Sequence, residues 1–296
     1  MNRFSFVILH YYTVEDTIEC VNSILENIKS YKVSIVIVDN ASKNNSYRIL
    51  LSKFSDVDNI HIIKSEKNLG FANGNNLGYL YAKDKLKSDF ICLLNNDTVI
   101  NQYDFVDKCI DKFEESKYYI LGPDIVSTVD YKHQNPHKFG VMDIKKINSL
   151  LIQLYIHGIF SYIGIELYIN WLLKKIKELS KLKCDDYKSK DNLILHGSCL
   201  IFSPLYVNKY SGLCKKTFMY GEEEILFYIC KKLNLKVEYY PEILIYHKEG
   251  SSTDSILVGS KRNKYLFYYK NKIQSTHALR KIIRMTKDKE VEKELL

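Results

Sequence analysis

Apolar residues form short runs along the first hundred positions of the chain, and polar residues separate these runs. The strand-like runs cover residues 4–10, 33–38, 60–64 and 89–95. Between them, apolar residues recur at helical spacing and predict helices near residue 14 and over residues 46–54 and 76–87, with Thr13 as the N-cap of the first. This alternation predicts an α/β fold with a mostly parallel, Rossmann-like sheet flanked by helices.

Polar side chains directly follow two of these strands. Asp39 ends the second strand, and Asn95, Asn96 and Asp97 end the fourth. Because ligands bind at the carboxyl ends of parallel strands, these side chains are candidates for one site. Asp97 suits a hard divalent cation held against a diphosphate, with Asn95 as a neutral oxygen ligand, and an Asx turn is the alternative. Asp39 either accepts hydrogen bonds from a base or ribose, or caps the next turn.

Three glycines, Gly70, Gly74 and Gly78, lie in the segment NLGFANGNNLG at residues 68–78. The segment does not match the dinucleotide-binding fingerprint, which follows the first strand, and the absence of G-K-[ST] excludes a P-loop. The glycines either let the backbone approach a ligand closely or simply mark a turn and a helix start.

Acidic and imidazole side chains recur much later in the chain. Glu222, Glu223 and Glu224 precede a helical run, where carboxylates are stabilised by the helix dipole. A carboxylate fixed there could equally act as a general base towards a hydroxyl group. His247 follows a strand-like run and is either a metal ligand or a structural histidine.

Residues 144–183 differ in composition from the preceding part of the chain, because an apolar run over residues 150–173 is followed by several lysines. About 20 apolar residues are enough to cross a bilayer. A single crossing would separate Asp39 and Asp97 from Glu223, so we expect helices that lie in the headgroup region or that pack on the core.

Composition adds an apolar fraction of 46%, which is enough for a large core, and a net charge of +8, which favours partners that carry phosphate. Basic and aromatic residues are mixed after Lys261, as in segments that bind anionic lipid or single-stranded nucleic acid, or as in a solvated helix. No zinc-finger or RRM signature supports nucleic acid. Seven cysteines without a C-x-x-C pair, and no signal peptide before the first strand, indicate a reducing cytoplasmic location.

Taken in order, these motifs resemble those of the family 2 glycosyltransferases, and within them the rhamnosyltransferase-like enzymes of bacterial surface-polysaccharide assembly. The motifs are HYY (10–12), VDNAS (38–42), NLGFANGNNLG (68–78), LLNNDT (93–98), HGSC (196–199), YGEEE (220–224) and HKEGSS (247–252). The resemblance implies a GT-A domain over about residues 1–255, followed by a basic helical tail over 256–296. Within the domain it implies a nucleotide-binding half to about 125, a helical insertion at about 144–190 and an acceptor-binding half at about 191–255.

The resemblance also implies residue roles in an inverting sugar transfer from a nucleotide-sugar. Asp39 would contact the nucleobase, Asp97 would bind Mg²⁺ or Mn²⁺ with His247 as a further ligand, and Glu223 would be the catalytic base. The donor site would be formed by His10, Tyr11, Asp39, Asn68, Gly70, Asn76, Asn95, Asn96 and Asp97. Gly197, Ser198 and Tyr220 would line the acceptor side.

Two positions depart from the family pattern. Asn95 replaces the first acid of the metal motif, and Ile225 replaces the last acid of Y-x-E-D-x-D. The base therefore stays open between Glu222 and Glu223. The expected partners are a UDP- or dTDP-linked sugar, a lipid-linked saccharide acceptor and an anionic membrane surface at the inner face of the cell membrane, with no nucleic acid. The alternatives are a catalytically degenerate nucleotide-sugar-binding subunit and a membrane-associated scaffold.

Overall fold

The computed structural model describes residues 2–29, 32–139, 143–165, 193–249 and 261–296. An eight-stranded sheet crosses this part of the chain. Its strands are β1 (Phe4–His10), β2 (Val33–Asp39), β3 (Ile60–Lys64), β4 (Phe90–Asn95), β5 (Thr98–Val99), β6 (Ile120–Ser127), β9 (Cys199–Phe202) and β10 (Val237–His247). Two further strands, β7 (Lys138–Phe139) and β8 (Leu193–Ile194), pair with each other.

The strand order in the sheet is β3-β2-β1-β4-β9-β6-β10-β5. The four strands predicted from the sequence pair in parallel, as expected. β9 then runs antiparallel to both β4 and β6, and β5 runs antiparallel to β10. The mixed sheet with flanking helices confirms the predicted α/β, GT-A-type fold.

The helices are α1 (Val14–Asn27), α2 (Ser46–Phe54), α3 (Gly70–Asp84), α4 (Phe105–Ser116), α5 (Ile144–Ile163), α6 (Pro204–Val207), α7 (Glu222–Lys232), α8 (Lys261–Ile283) and α9 (Asp288–Glu292). The helix predicted over 76–87 was placed too late, because it begins at Gly70. There, φ of +78° lets the chain turn, and the Phe71 N–H donates to Phe218 O at 2.7 Å.

The other two glycines of α3 permit close packing on the sheet. A Cβ atom at Gly74 would lie 2.6 Å from Leu9 Cδ1, and one at Gly78 would lie 2.7 Å from Val38 Cγ2. Both distances are too short for carbon atoms in contact. These two glycines therefore bring α3 against β1 and β2 rather than admit a ligand.

Alternate residues of each strand enter two cores, one on each face of the sheet. Phe4, Phe6 and Ile8 of β1 pack on the face covered by α1, α2 and α4. Val7 of β1 packs on the opposite face, with side chains of α3, α7 and α8. Burial on both faces explains why these strands are continuous apolar runs.

Helices α5 and α8 lie side by side, which ties the C-terminal region to the body of the protein. Tyr155 Oη and His277 Nε2 are 2.8 Å apart, and Arg262 Nε donates to Ser161 O at 3.1 Å. α5 buries Ile147, Leu151 and Leu154 and ends at Gly164, in left-handed conformation. The predicted insertion beyond residue 165 lies outside the described residues. Among the helices described, none combines the length and hydropathy needed to span a bilayer.

Candidate active site

The carboxyl ends of β1, β2 and β4 meet at one edge of the sheet. In the parallel register, His10 is opposite Asp39, and Leu9 is opposite Asn95. A cavity of about 240 Å³ opens at this edge. Of the residues predicted to form the site, Tyr11, Asn68, Gly70, Asn95, Asn96, Asp97 and His247 line this cavity. The sheet topology thus brings together motifs from both halves of the chain.

His247 lies beside Asp97 because β10 pairs antiparallel with β5, the strand that directly follows Asp97. Thr98 pairs with His247, and the Lys248 N–H donates to Asp97 O at 2.9 Å. The His247 Nε2 atom lies 3.3 Å from Asp97 Oδ1. His247 Nδ1 is 2.8 Å from Gln134 Oε1, which can only accept, so in the neutral ring Nε2 carries the lone pair that faces Asp97.

The Asp97–His247 pair has the properties of a partly built cation site. Asp97 Oδ1 is buried and has no hydrogen-bond partner in the part of the chain that the structure describes. A carboxylate oxygen and an imidazole nitrogen are ligands that Mn²⁺ accepts, and Mg²⁺ is commonly held by one or two carboxylates plus substrate phosphates. No group of three or more His, Cys, Asp or Glu side chains suited to a metal occurs within the described ranges. The residues present therefore fit an ion whose remaining ligands come from a diphosphate and water.

Asp39 lies at the end of β2, beneath the cavity rather than on its wall. It is fully buried, its Oδ1 accepts from the Ser42 N–H at 3.2 Å, and its Oδ2 has no partner among the described residues. Next to it, burial lowers the pKa of His10 to about 4, although Asp39 acts in the opposite direction. A neutral His10 bonded to Thr17 and Ser46 supports the strand end from below.

Two predicted donor-site residues have side chains that are engaged elsewhere. His10 makes the contacts just described, and neither it nor Asn76 lines the cavity. Asn76 is buried, donates to Leu213 O at 2.8 Å and accepts from the Leu213 N–H at 2.7 Å. These bonds attach the loop before α7 to α3, which is a structural task.

Asn96 is engaged with α1, although it also borders the cavity. Its Nδ2 donates to Thr13 Oγ1 at 2.8 Å and to Thr17 Oγ1 at 3.0 Å. Thr13 does occupy the N-cap position, but its side chain makes no capping bond, so the predicted cap is wrong in that respect. The Thr13 hydroxyl accepts from Asn96 instead, and this ties the loop after β4 to the start of α1.

Glu222, Glu223 and Glu224 form the first turn of α7. Glu222 and Glu224 are buried, whereas Glu223 is half-buried. Burial, together with the neighbouring Glu223, raises the pKa of Glu222 to about 8. Glu223 faces Gly197, since a Cβ atom there would lie 3.1 Å from the Glu223 carboxyl carbon. A side chain at position 197 would therefore displace the Glu223 carboxylate from the place where it lies.

A short backbone link connects the carboxylate of Glu223 with the end of β4. The Asn95 N–H donates to Ser198 O at 2.8 Å, directly after the glycine that Glu223 faces. His196 and Ser198 are joined by a hydrogen bond of 2.9 Å, and the His196 ring lies 5.5 Å from that of His247. Burial, with His247 and His137 nearby, lowers the pKa of His196 to about 3, so this ring is neutral.

Sequence reasoning missed the contribution of α8. Phe267 of α8 lines the cavity together with Phe218 and Met219, and Tyr220 contacts Phe267 and Tyr268. The sequence carries little signal for this role, because three of the six residues that α8 buries are polar and do not form the apolar stripe that marks a packed helix. The buried residues are Asn271, Ser275, Thr276, Ala278, Leu279 and Ile282.

Comparison with known protein families identifies the class of protein to which this fold and this site belong. The model of the family "Glycosyl transferase family 2" matches residues 5–176, which is more than half of the chain. The chain therefore belongs to glycosyltransferase family 2.

Among individual relatives, the chain is similar to the low-salt glycan biosynthesis hexosyltransferase Agl10 of Haloferax volcanii. The two are 24% identical over 238 residues, which cover 80% of this chain and 64% of the relative. The chain thus spans somewhat less than two thirds of that relative's length.

Solved structures share the fold. S. aureus TarS 1-349 in complex with UDP-GlcNAc is 15% identical, with a TM-score of 0.54, and the match covers 100% of this chain and 70% of that one. The crystal structure of S. aureus TarS gives 14% identity and a TM-score of 0.54, over 92% of this chain and 43% of that one.

Proposed function

We propose that this chain is an inverting glycosyltransferase that moves a sugar from a UDP- or dTDP-linked donor to a hydroxyl group of a saccharide. One observation carries the proposal: a backbone hydrogen bond between Asn95 and Ser198 holds the strand end that leads to the Asp97–His247 pair next to the segment that Glu223 faces. This contact supports a single site that would combine a diphosphate-binding group with a general base. The hexosyltransferase name of the Haloferax relative and the UDP-GlcNAc complex of TarS support the same reaction class.

The donor's nucleotide would lie in the cavity at the strand ends. Tyr11 and Asn68 line it, and Asn40 holds its wall by bonding Asn68 Oδ1 at 3.1 Å and the Leu69 N–H at 2.9 Å. Asp39 Oδ2 has no hydrogen-bond partner among the described residues, and it would accept a hydrogen bond from the base or ribose. The diphosphate would then point toward Asp97.

Asp97 and His247 would hold Mg²⁺ or Mn²⁺ on the diphosphate. A bound divalent ion supplies Lewis-acid stabilisation of the negative charge that grows on the leaving group. Asn95 stands where a second carboxylate is usual in the family, so this chain offers one negative charge fewer to the ion. Asp97 is therefore the residue on which retention of the ion depends most.

Glu223 is the better candidate for the base. It is half-buried and directed at the Gly197–Ser198 segment, where an acceptor hydroxyl can reach it. Glu222 is buried, and its pKa of about 8 keeps it protonated at neutral pH. A group that already carries a proton cannot accept one. Glu223 would take the hydroxyl proton as that oxygen attacks the anomeric carbon opposite the leaving diphosphate, which inverts the configuration.

The acceptor would be a lipid-linked saccharide at an anionic membrane surface. Helix α5 buries one face and exposes large apolar side chains on the other, among them Ile152, Ile159 and Ile163. Arg262, at the start of the adjacent α8, is bonded to the end of α5. An apolar helix face bordered by cations is suited to lie in the headgroup region of anionic lipid.

The test is a screen of UDP- and dTDP-sugars with Mn²⁺, in which nucleotide release and a glycosylated acceptor are measured together. The proposal predicts metal-dependent release coupled to transfer. Donor binding without release would instead support a degenerate binding subunit, a possibility that Asn95 and the fully buried Ile225 favour because each replaces a family acid.

A further inference from the structure

The side chain of Lys272 in α8 contacts the first turn of α7, which contains Glu222, Glu223 and Glu224. Its Nζ lies 2.7 Å from Glu224 Oε1, and the two side chains are only 14% and 10% exposed. Burial would lower the pKa of Lys272, but the Glu224 carboxylate outweighs it and the pKa is raised. The neighbouring Lys270 is, by contrast, exposed. Lys272 thus belongs to the interior face of a helix whose basic character suggested a surface role.

Helix α8 also holds the backbone that leads into this turn. Gly221 has φ of +100°, and a Cβ atom there would lie 3.1 Å from Ser275 Cβ and 3.6 Å from Lys272 Nζ. Ser275 Oγ donates to Met219 O at 3.4 Å, and the rings of Tyr220 and Tyr268 are 4.9 Å apart. Consecutive residues before α7 therefore pack on α8, and a side chain at position 221 would be strained by the positive φ and tight against Ser275.

Electrostatics explains why the turn needs this support. The negative charges of Glu223 and Glu224 lie next to each other and repel, and the dipole of α7 offsets only part of this repulsion. Glu224 is buried, and a buried charge without a partner is strongly destabilising. Lys272 supplies that partner, so the turn can keep Glu224 inside while Glu223 faces Gly197.

We propose that Lys272 is a positioning residue for sugar transfer: its ion pair with Glu224 fixes the first turn of α7 so that the Glu223 carboxylate faces the Gly197–Ser198 segment. The inference rests on the proposed role of Glu223 as the base. Lys272 does not line the donor cavity, so its loss should change catalysis and leave donor binding intact.

Four variants test the proposal. Lys272→Met should lower kcat about 10²-fold, the cost of a misplaced catalytic group, with the donor KM unchanged. Lys272→Arg keeps the charge and should restore part of kcat. The double variant Lys272→Met, Glu224→Gln leaves no buried charge unpaired. On a logarithmic scale, its kcat should therefore lie closer to that of the wild type than to that of Lys272→Met. Lys270→Met, on the exposed face of the same helix, should behave as the wild type.

The pH profile of kcat gives a second readout. Glu222 and Lys272 interact electrostatically with Glu223, and Glu224, Tyr268 and Tyr220 interact with those two groups. His196 directly precedes Gly197. Removing the Lys272 charge raises the pKa of nearby carboxylates, so the acidic limb should move to higher pH in Lys272→Met and stay in place in Lys272→Arg.

Several outcomes would overturn the inference. A kcat for Lys272→Met equal to that of an active wild type would do so, as would a rise in donor KM that accounts for the whole effect. If Lys272→Met does not fold, Lys272→Arg and the double variant decide, and an inactive but folded Lys272→Arg contradicts the proposal. A wild type that transfers from no donor contradicts the proposed function itself, and the inference falls with it.

Discussion

The two sides of the candidate site are built in different ways. Most of the donor side comes from the ends of parallel strands, Asp39 and the residues after β4, with His247 added from the distant β10. The acceptor side consists of the first turn of α7, the Gly197–Ser198 segment and the inner face of α8, which are far apart in the chain. The local sequence pattern therefore predicts most of the donor side, whereas the acceptor side depends entirely on long-range packing. Substitutions on the two sides should therefore have different consequences.

The largest effect is expected on the acceptor side, from Glu223→Gln. Loss of a general base typically costs about 10²–10⁴-fold in rate, so kcat should fall by that factor. Binding of UDP, measured by isothermal titration, should be nearly unchanged, because Glu223 does not line the donor cavity. Glu222→Gln is the matched control, since Glu222 is already protonated near neutral pH. An equal decrease of kcat in the two variants would contradict the assignment of Glu223, and not Glu222, as the base.

On the donor side, Asp97→Asn should lower kcat by about 10²–10³-fold, as removal of a group that stabilises transition-state charge does. The substitution keeps the size of the side chain and removes the carboxylate from the His247 pair. In contrast to Glu223→Gln, it should also abolish the dependence of UDP binding on Mn²⁺. Asp104→Asn, in a partly exposed pair with Lys108, serves as the control. Retained metal dependence in Asp97→Asn would refute the assignment.

Beneath the donor side, Gly78→Ala should reduce the free energy of unfolding by about 1–3 kcal/mol, because an added methyl group overpacks a tight core. Its Cβ would meet Val7 and Val38 at the contact of α3 with the sheet. The control is Gly158→Ala in α5, where the nearest atom is 3.7 Å away. There, alanine should be neutral or stabilising by up to about 1 kcal/mol. Denaturant unfolding of both variants decides the comparison.

Next to the acceptor side, the exposed face of α5 is expected to contact lipid. Replacing both Ile152 and Ile159 by Asp should weaken binding to vesicles that contain anionic lipid by about tenfold or more, since each loses apolar burial. The control is Ile49→Asp on α2, where the isoleucine is 41% exposed. Co-sedimentation should separate the two. Equal binding would indicate that α5 does not lie on the membrane.

The last prediction concerns the dependence of stability on pH. The pKa of Glu222 is raised to about 8 in the folded chain, against an ordinary value of 4.5. The folded state therefore holds this proton more tightly, so its stabilising contribution is complete below pH 4.5 and is lost as the pH rises towards 8. Thermal melting should show a decline over this window in the wild type and a flatter profile in Glu222→Gln. The same slope in both would show that Glu222 ionises normally.

The sequence predicted the first half of the fold closely because apolar strands and amphipathic helices alternate there. The α2 and β3 bounds agree with the predicted ones. The helix start at Gly70 was missed because it depends on Phe218, a residue from the other half of the chain. The antiparallel insertion of β9 between β4 and β6 likewise follows from tertiary packing and leaves no local pattern.

The site was predictable to a similar, limited extent. The positions of Asp97 and His247 at the ends of strands predicted both as site residues. The sheet topology brings His247 Nε2 to 3.3 Å from Asp97 Oδ1. Asn76 could not be separated from the donor-site residues, because nothing in the motif shows that its amide is bonded to Leu213. The role of Lys272 was hidden, since one buried lysine among exposed ones is visible only when the partner helix is in place.

A crystal structure with Mn²⁺ and a non-hydrolysable UDP-sugar would show whether the donor and acceptor sides form one site. We expect an anomalous manganese peak within coordination distance of Asp97 Oδ1 and His247 Nε2, with the anomeric carbon facing the Glu223 carboxylate across the Gly197–Ser198 segment. A manganese peak away from Asp97, or a sugar turned away from Glu223, would contradict this expectation.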